Sequence, residues 1–128
     1  MQIHQSAEDY LETILMLSQR MGKVRSIDVV NELGFTKASV SIAMKKLREN
    51  GYIAVDGEGN LTLLEPGREI AERIYSRHRL LTHFFVQLGV DEQTAAEDAC
   101  KAEHILSEQT LEKIREYALL HDAQDSVK

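Results

Sequence analysis

The chain has 128 residues, 43% of them hydrophobic, enough for one ordinary core or two small units and too apolar for disorder. A single cysteine excludes an internal disulfide, no apolar run nears membrane-spanning length, and MQIHQSAEDY lacks a signal peptide's apolar core, so the expected address is the cytoplasm, with no membrane partner. The net charge of −6 speaks against indiscriminate nucleic-acid binding, yet residues 23–50 hold six bases (Lys23, Arg25, Lys37, Lys45, Lys46, Arg48) against three acids (Asp28, Glu32, Glu49), a local +3 that leaves −9 elsewhere. A basic island in an acidic chain is the pattern of a compact DNA-reading unit joined to a carboxylate-rich one.

A first helix is expected after Ser6, whose hydroxyl can cap it, through AEDYLETILMLSQR, with Tyr10, Leu11, Ile14, Leu15 and Leu17 as its apolar stripe. The stretch MGK breaks it. RSIDVVNELG reads as a short helix with Ile27, Val30 and Leu33 inward, Ser26 as its cap and Gly34 as its stop. A third helix starts at the capping residue Thr36, turns Val40, Ala43, Met44 and Leu47 inward, and stops at Gly51. Two short helices across a glycine turn make a helix-turn-helix, whose second helix is the one that enters a DNA major groove. The runs Tyr52 to Val55 and Leu61 to Leu63, separated by DGEGN, predict a β-hairpin, and that addition makes a winged helix.

A long helix follows from Gly67, its buried side expected at Ile70, Ile74, Leu81, Phe84, Phe85 and Leu88. Two last helices, DEQTAAEDACKAEHILSE and TLEKIREYALLHD, are too short for an ordinary core of their own. Their apolar residues Ala95, Ala99, Ile105, Leu106, Leu111, Ile114 and Leu119 are expected to pack on the long helix and on a second copy of the chain. The tail AQDSVK is expected to fray.

Several groupings of side chains bear on chemistry. In ACKAEH, Cys100, Glu103 and His104 stand at i, i+3 and i+4, so a helix would converge them on one face, as a ligand triangle or as chance neighbours. In SAEDYLETI, Asp9 and Glu12 share a face at i and i+3; metal binding would account for them, and so would the preference for acids at a helix start, with Ser6 and Asp9 approximating a capping box. His78 interrupts the stripe between Ile74 and Leu81, as a satisfied core histidine or as a ligand. His83 and His121 have no ligand-like neighbours. Thr36, Lys37, Ala38, Ser39 and Ser41, small, polar or basic, would let the third helix sit deep in a groove, and Arg25, Ser26, Lys45 and Lys46 extend this candidate DNA surface. An ordinary solvated helix is the alternative for that face.

Taken together, EDYLETI, the winged helix, RHRLL around His78 and ACKAEHILSE make the chain resemble the diphtheria toxin repressor and manganese transport regulator family of metal-dependent bacterial repressors, in the right order over nearly its whole length. The resemblance implies a mainly α protein, with a winged helix-turn-helix and small hairpin wing over 1–66 and an α-helical metal-binding and dimerisation domain over 67–128. It implies Asp9, Glu12, His78, Cys100, Glu103 and His104 as metal ligands, and a homodimer that binds a palindromic operator in double-stranded DNA and represses metal-uptake genes.

The chain is a hybrid of the family's branches. The manganese branch shares Asp9 and Glu12 but has glutamate where Cys100 stands, whereas the iron branch has the cysteine but methionine and arginine at positions 9 and 12. The iron branch's ancillary ligands align with Thr82 and Ala96, which favours a manganese-type paired site using Glu12 and His78, with Glu103 able to bridge. The chain is also expected to lack the iron branch's C-terminal SH3-like domain. Thiolate softness leans the other way, so Fe(II) is expected slightly ahead of Mn(II), with Co(II) or Zn(II) able to substitute. Two readings compete with this one: a winged-helix regulator controlled by a small ligand or by oxidation of Cys100, and, remotely, a di-metal hydrolase. With no substrate-pocket motif, nucleophile arrangement or long active-site loop, an enzyme is not expected.

Overall fold

The computed structural model describes residues 5–127, with side chains described through residue 122. Its elements are α1 (Gln5–Met21), β1 (Val24–Arg25), α2 (Ser26–Leu33), α3 (Lys37–Glu49), β2 (Ile53–Val55), β3 (Asn60–Leu63), α4 (Glu65–Gln87), α5 (Glu92–Ala102) and α6 (Glu108–Val127). They form two compact units, Met1–Arg73 and Ile74–Lys128. No helix among the described residues is long and apolar enough to cross a membrane.

The first unit is a winged helix. Leu11, Ile14 and Leu15 of α1, Val29 of α2, and Val40, Met44 and Leu47 of α3 are buried together with Val24, Ile53, Leu61 and Leu63 of the sheet. Gly34 ends α2 in the left-handed region at φ 71°, where a side chain is disfavoured, and its N–H donates to the Val30 carbonyl at 2.9 Å. Thr36 caps α3, its Oγ1 accepting from the Ser39 N–H at 3.1 Å. Across the turn, Phe35 meets Tyr10 edge to face with ring centroids 5.9 Å apart, tying the helix-turn-helix to α1.

The wing holds three antiparallel strands in the order β1-β3-β2, with Val24 opposite Leu61 and Ile53 opposite Leu63. At its tip the Asp56 carboxylate accepts from the backbone N–H groups of Glu58 and Asn60, each at 2.9 Å, and from the Asn60 side chain at 3.0 Å. These bonds, those from Asn60 first, hold its carboxyl below the ordinary carboxylate range.

Three expectations for this unit need correction. Ser26 does not cap α2. Arg25 is the cap residue, and its N–H donates to the Asp28 carboxylate at 2.9 Å. The buried face is rotated accordingly, with Val29 fully buried and Ile27 exposed, while Val30 and Leu33 are half-buried. Ser6 likewise lies within α1 rather than at its cap.

In the second unit, Leu81 of α4, Ala99 of α5 and Leu111 of α6 are the buried centre, flanked by Leu80, Phe85, Ala102, Leu106 and Ile114. Asp91 caps α5 by accepting from the Thr94 N–H at 2.8 Å, and hydrogen bonds from the Thr94 side chain first and then its N–H hold the Asp91 carboxyl low. The helix expected to run on through His104 stops at Ala102. Ser107 then caps α6, its Oγ accepting from the Thr110 N–H at 3.2 Å, so residues 103–107 turn the chain between two capped helices. Leu88, expected on the buried side of the long helix, is exposed, and Ile105, Tyr117, Leu119 and Leu120 are exposed in the single chain. The backbone of α6 runs to Val127 through the tail expected to fray, whose side chains lie outside the described residues.

Candidate metal centre and nucleic-acid interface

Burying Val40, Met44 and Leu47 fixes which side of α3 is free. Thr36, Lys37, Ala38, Ser39, Ser41, Lys45 and Lys46 are all exposed, as is Arg25, while Ser26 is half-buried. Ala38, Ser41, Ile42 and Lys45, at i, i+3, i+4 and i+7, share the face opposite the core. Ile42 stands at its centre, 58% exposed, and was missed in the sequence, although its position four residues from Ala38 and off the Val40-Met44-Leu47 stripe was the available signal. An apolar side chain among cations matches the thymine methyl of a major groove, with lysines placed for the phosphates beside it.

On α1 the acid nearest the helix start, Glu8, is ion-paired with Arg73 at 3.3 Å. Asp9 and Glu12 lie beyond that first turn, where the helix dipole has faded, so dipole preference does not explain them. Asp9 is half-buried, and Glu12 is only 5% exposed, a place where an ionised carboxylate is costly to desolvate. Burial, and then the adjacent Asp9 charge, raise the Tyr10 phenol above its ordinary range.

The second unit gathers His78, Glu103 and His104. Glu103 continues the buried stripe of Ala95 and Ala99 and is fully buried at the C-cap of α5. Its Oε2 lies 3.0 Å from His78 Nδ1 and its Oε1 lies 3.4 Å from His104 Nε2, and the His104 side chain is just 2% exposed. The 3.4 Å approach is an ion-pair distance rather than an aligned hydrogen bond. A carboxylate acceptor fixes His78 with its proton on Nδ1, which leaves Nε2 as the basic nitrogen. One buried carboxylate between two imidazoles is a donor set that suits Mn(II), Fe(II), Co(II) or Zn(II), so these residues fit a divalent cation.

Cys100 is placed otherwise. It stands beside the Ala95-Ala99-Glu103 stripe, exposed, and among the described residues it joins no group of three or more potential ligands within 4.8 Å of one another. Cys100 thus sits one position off the stripe that carries Glu103 inward, and α5 ends before His104. Thr82, aligned with a lost ancillary ligand, donates its hydroxyl to the His78 carbonyl at 2.8 Å. His83 pairs with Asp122 at 3.0 Å, and His121 Nε2 lies 2.9 Å from the Tyr117 hydroxyl. Arg77, the first residue of RHRLL but given no role in the sequence, reaches the Glu103 carbonyl at 3.2 Å.

Comparison with known proteins is decisive. Residues 2–61 match the iron dependent repressor N-terminal DNA binding domain, and residues 64–120 match the iron dependent repressor metal binding and dimerisation domain. The chain belongs to this repressor family. It is 37% identical to an uncharacterised HTH-type transcriptional regulator of Methanocaldococcus jannaschii, over 87% of this chain and 90% of that protein. It is 32% identical to the HTH-type transcriptional regulator MntR of Bacillus subtilis, over 96% of this chain and 87% of that one. Among solved structures, a manganese-dependent transcriptional repressor in complex with manganese superposes with a TM-score of 0.80 at 29% identity, covering 88% of this chain and 52% of the other. The chain thus spans most of its curated relatives but about half of that solved chain. Family membership makes it a metal-dependent, DNA-binding transcriptional regulator, built as an N-terminal winged helix followed by a metal-binding and dimerisation region.

Proposed function

We propose that the chain is a cytoplasmic repressor of metal-uptake genes that binds a palindromic operator as a homodimer when a divalent cation occupies a site built from Asp9, Glu12, His78, Glu103 and His104. The observation that carries this reading is the fully buried Glu103 carboxylate set between the His78 and His104 imidazoles. A divalent cation supplies a fixed positive charge that offsets the acidic half and favours the one arrangement that gathers its ligands. Glu103 orients His78 through Nδ1, and the carboxylates of α1 contribute hard oxygen donors.

Exposed Leu88, Ile105, Tyr117, Leu119 and Leu120 are the apolar surface that a partner copy would cover. Dimerisation would present two α3 helices about 34 Å apart, one DNA turn. Lys37, Lys45, Lys46 and Arg25 would neutralise phosphates, and Ala38, Ser39, Ser41 and Ile42 would meet base edges, with Thr36 and Ser26 as hydroxyl donors at the helix starts. Softness of Cys100 was the reason for placing Fe(II) first. That thiol is exposed, and the carboxylate and imidazole donors of the buried group favour Mn(II), with Fe(II) second.

The deciding experiment is anaerobic binding of a labelled palindromic operator, selected from a random pool, against added Mn(II), Fe(II), Co(II) and Zn(II), with metal content and mass measured on the same samples. The reading expects a dimer whose operator affinity rises steeply with metal. Equal operator affinity in excess chelator would refute it and would favour the regulator driven by a small ligand or by thiol oxidation.

A further inference from the structure

Two consecutive residues of α4 hold Glu103 from opposite ends. His78 engages the carboxylate at 3.0 Å, and Arg77 Nη1 donates to the backbone carbonyl of the same residue at 3.2 Å. Arg77 is mostly buried at 15% exposed, and its Nη2 pairs with Glu108, the first residue of α6. Glu108 is 78% exposed, so that ion pair by itself contributes little.

The carbonyl contact is different. Glu103 is the C-cap of α5, and carbonyls at a helix C-terminus lack intrahelical partners and attract cations. A planar guanidinium with several donors can satisfy such a carbonyl and still reach a second acceptor. The Glu103 N–H still bonds the Ala99 carbonyl at 2.9 Å, so α5 places its Cα, and the Arg77 bond holds the carbonyl end of the same residue, where the chain leaves the helix.

We infer that Arg77 is a positioning residue of the metal centre, holding the Glu103 main chain so that the Glu103 carboxylate stays between the two imidazoles. The inference rests on the metal-binding reading above. Outer partners of metal ligands commonly change affinity by about 10- to 100-fold when removed.

The test is anaerobic Co(II) titration of the full-length protein without DNA, followed by visible absorption and paired with thermal unfolding of the metal-free form. Arg77→Met should raise the apparent Co(II) Kd by about 10- to 100-fold and alter the ligand-field spectrum. Arg77→Lys should fall between wild type and Arg77→Met, because an ammonium can make one bond but not the fork, and it keeps the test open if Arg77→Met does not fold. Glu108→Gln should bind Co(II) within about 3-fold of wild type, as expected for an exposed ion pair.

Wild-type Co(II) affinity and spectrum in Arg77→Met, or in Arg77→Lys where the first variant is unfolded, would overturn the inference and reduce Arg77 to a helix cap. A loss in Glu108→Gln equal to that in Arg77→Met would also overturn it, by moving the effect to the link with α6. If wild type itself takes up no Co(II), the metal-binding reading falls and this inference with it. If wild type binds and the Arg77 variants match it, the inference alone falls.

Discussion

Replacing Gly67 by alanine should destabilise the winged helix although it exchanges glycine for the best helix former. Gly67 is buried in the first turn of α4, and a Cβ there would lie 2.2 Å from the Tyr52 carbonyl oxygen, 3.0 Å from its carbon and 3.3 Å from Leu11 Cδ2. Cβ contacts under 3.0 Å are essentially never found, so the two backbones must separate by at least about 0.8 Å, the difference between 3.0 and 2.2. The Tyr52 carbonyl cannot move freely, because it accepts the Leu64 N–H at 3.0 Å while the Tyr52 N–H donates to Leu47 at 2.9 Å. Overpacking of this kind costs about 1–3 kcal/mol, and strain on the hydrogen bond adds about 1 kcal/mol, against a helix-propensity gain of at most about 1 kcal/mol. The net loss of about 1–3 kcal/mol corresponds to about 4–11 °C in Tm for a chain of 128 residues. Circular dichroism melts of the metal-free protein would measure it, with Gly57→Ala as control, since a Cβ at Gly57 meets nothing within 4 Å and its φ is not left-handed. Because Tyr52 follows α3 and leads into β2, operator affinity should fall with Tm. A Gly67→Ala protein melting within about 1 °C of wild type would refute the packing argument.

Three further outcomes are expected. Lys37→Ala should weaken operator binding and reduce the slope of log K against log salt by about one, while metal affinity measured without DNA stays unchanged; an unaltered slope would remove Lys37 from the phosphate contacts. Cys100→Ser should leave the order of metal activation unchanged, and the Co(II)-loaded parent should lack a thiolate charge-transfer band near the ultraviolet; a strong band lost in the variant would return the thiol to the ligand set. The Asp91 carboxyl is held below its ordinary value of 3.8 by Thr94, so its capping contribution is complete above that value and lost as pH falls through the lower folded value. Asp91→Asn should therefore flatten the acid end of the Tm profile below about pH 4, and a profile parallel to wild type there would count against the cap.

Much of the first unit was legible because its signals are local. Gly34 and Thr36 mark the turn by their own backbone and capping chemistry, and Val40, Met44 and Leu47 mark a stripe that only a helix can bury. β1 escaped because two residues carry no periodicity, and Val24 becomes a strand only when it pairs with the distant Leu61. Ile27 and Val29 were exchanged because α2 is short, and a cap displaced by one residue rotates its face by about 100°. The ligand types at His78, Glu103 and His104 were readable, but their geometry was not. It depends on where α5 ends and on how the chain then turns, where Arg77 bonds the Glu103 carbonyl and Ser107 starts α6. Exposure of Cys100 follows from the same register. Arg77 stood inside RHRLL without a role, because an arginine in a charged helix announces no partner.

The position of Glu103 and His104 just beyond α5 separates what can change from what must not. Donors inside a helix have their spacing dictated by its pitch, so altering the spacing means altering the helix. Here the Leu81-Ala99-Leu111 core holds the helices, while residues 103–107 form a capped connector that packs on it through Leu106. A one-residue insertion or a new side chain in that connector, away from Leu106, would shift the donors relative to His78 while leaving the Leu81-Ala99-Leu111 centre in place. Descendants of one ancestor can therefore drift in the cation they answer to by editing a five-residue joint, without first losing a stable protein.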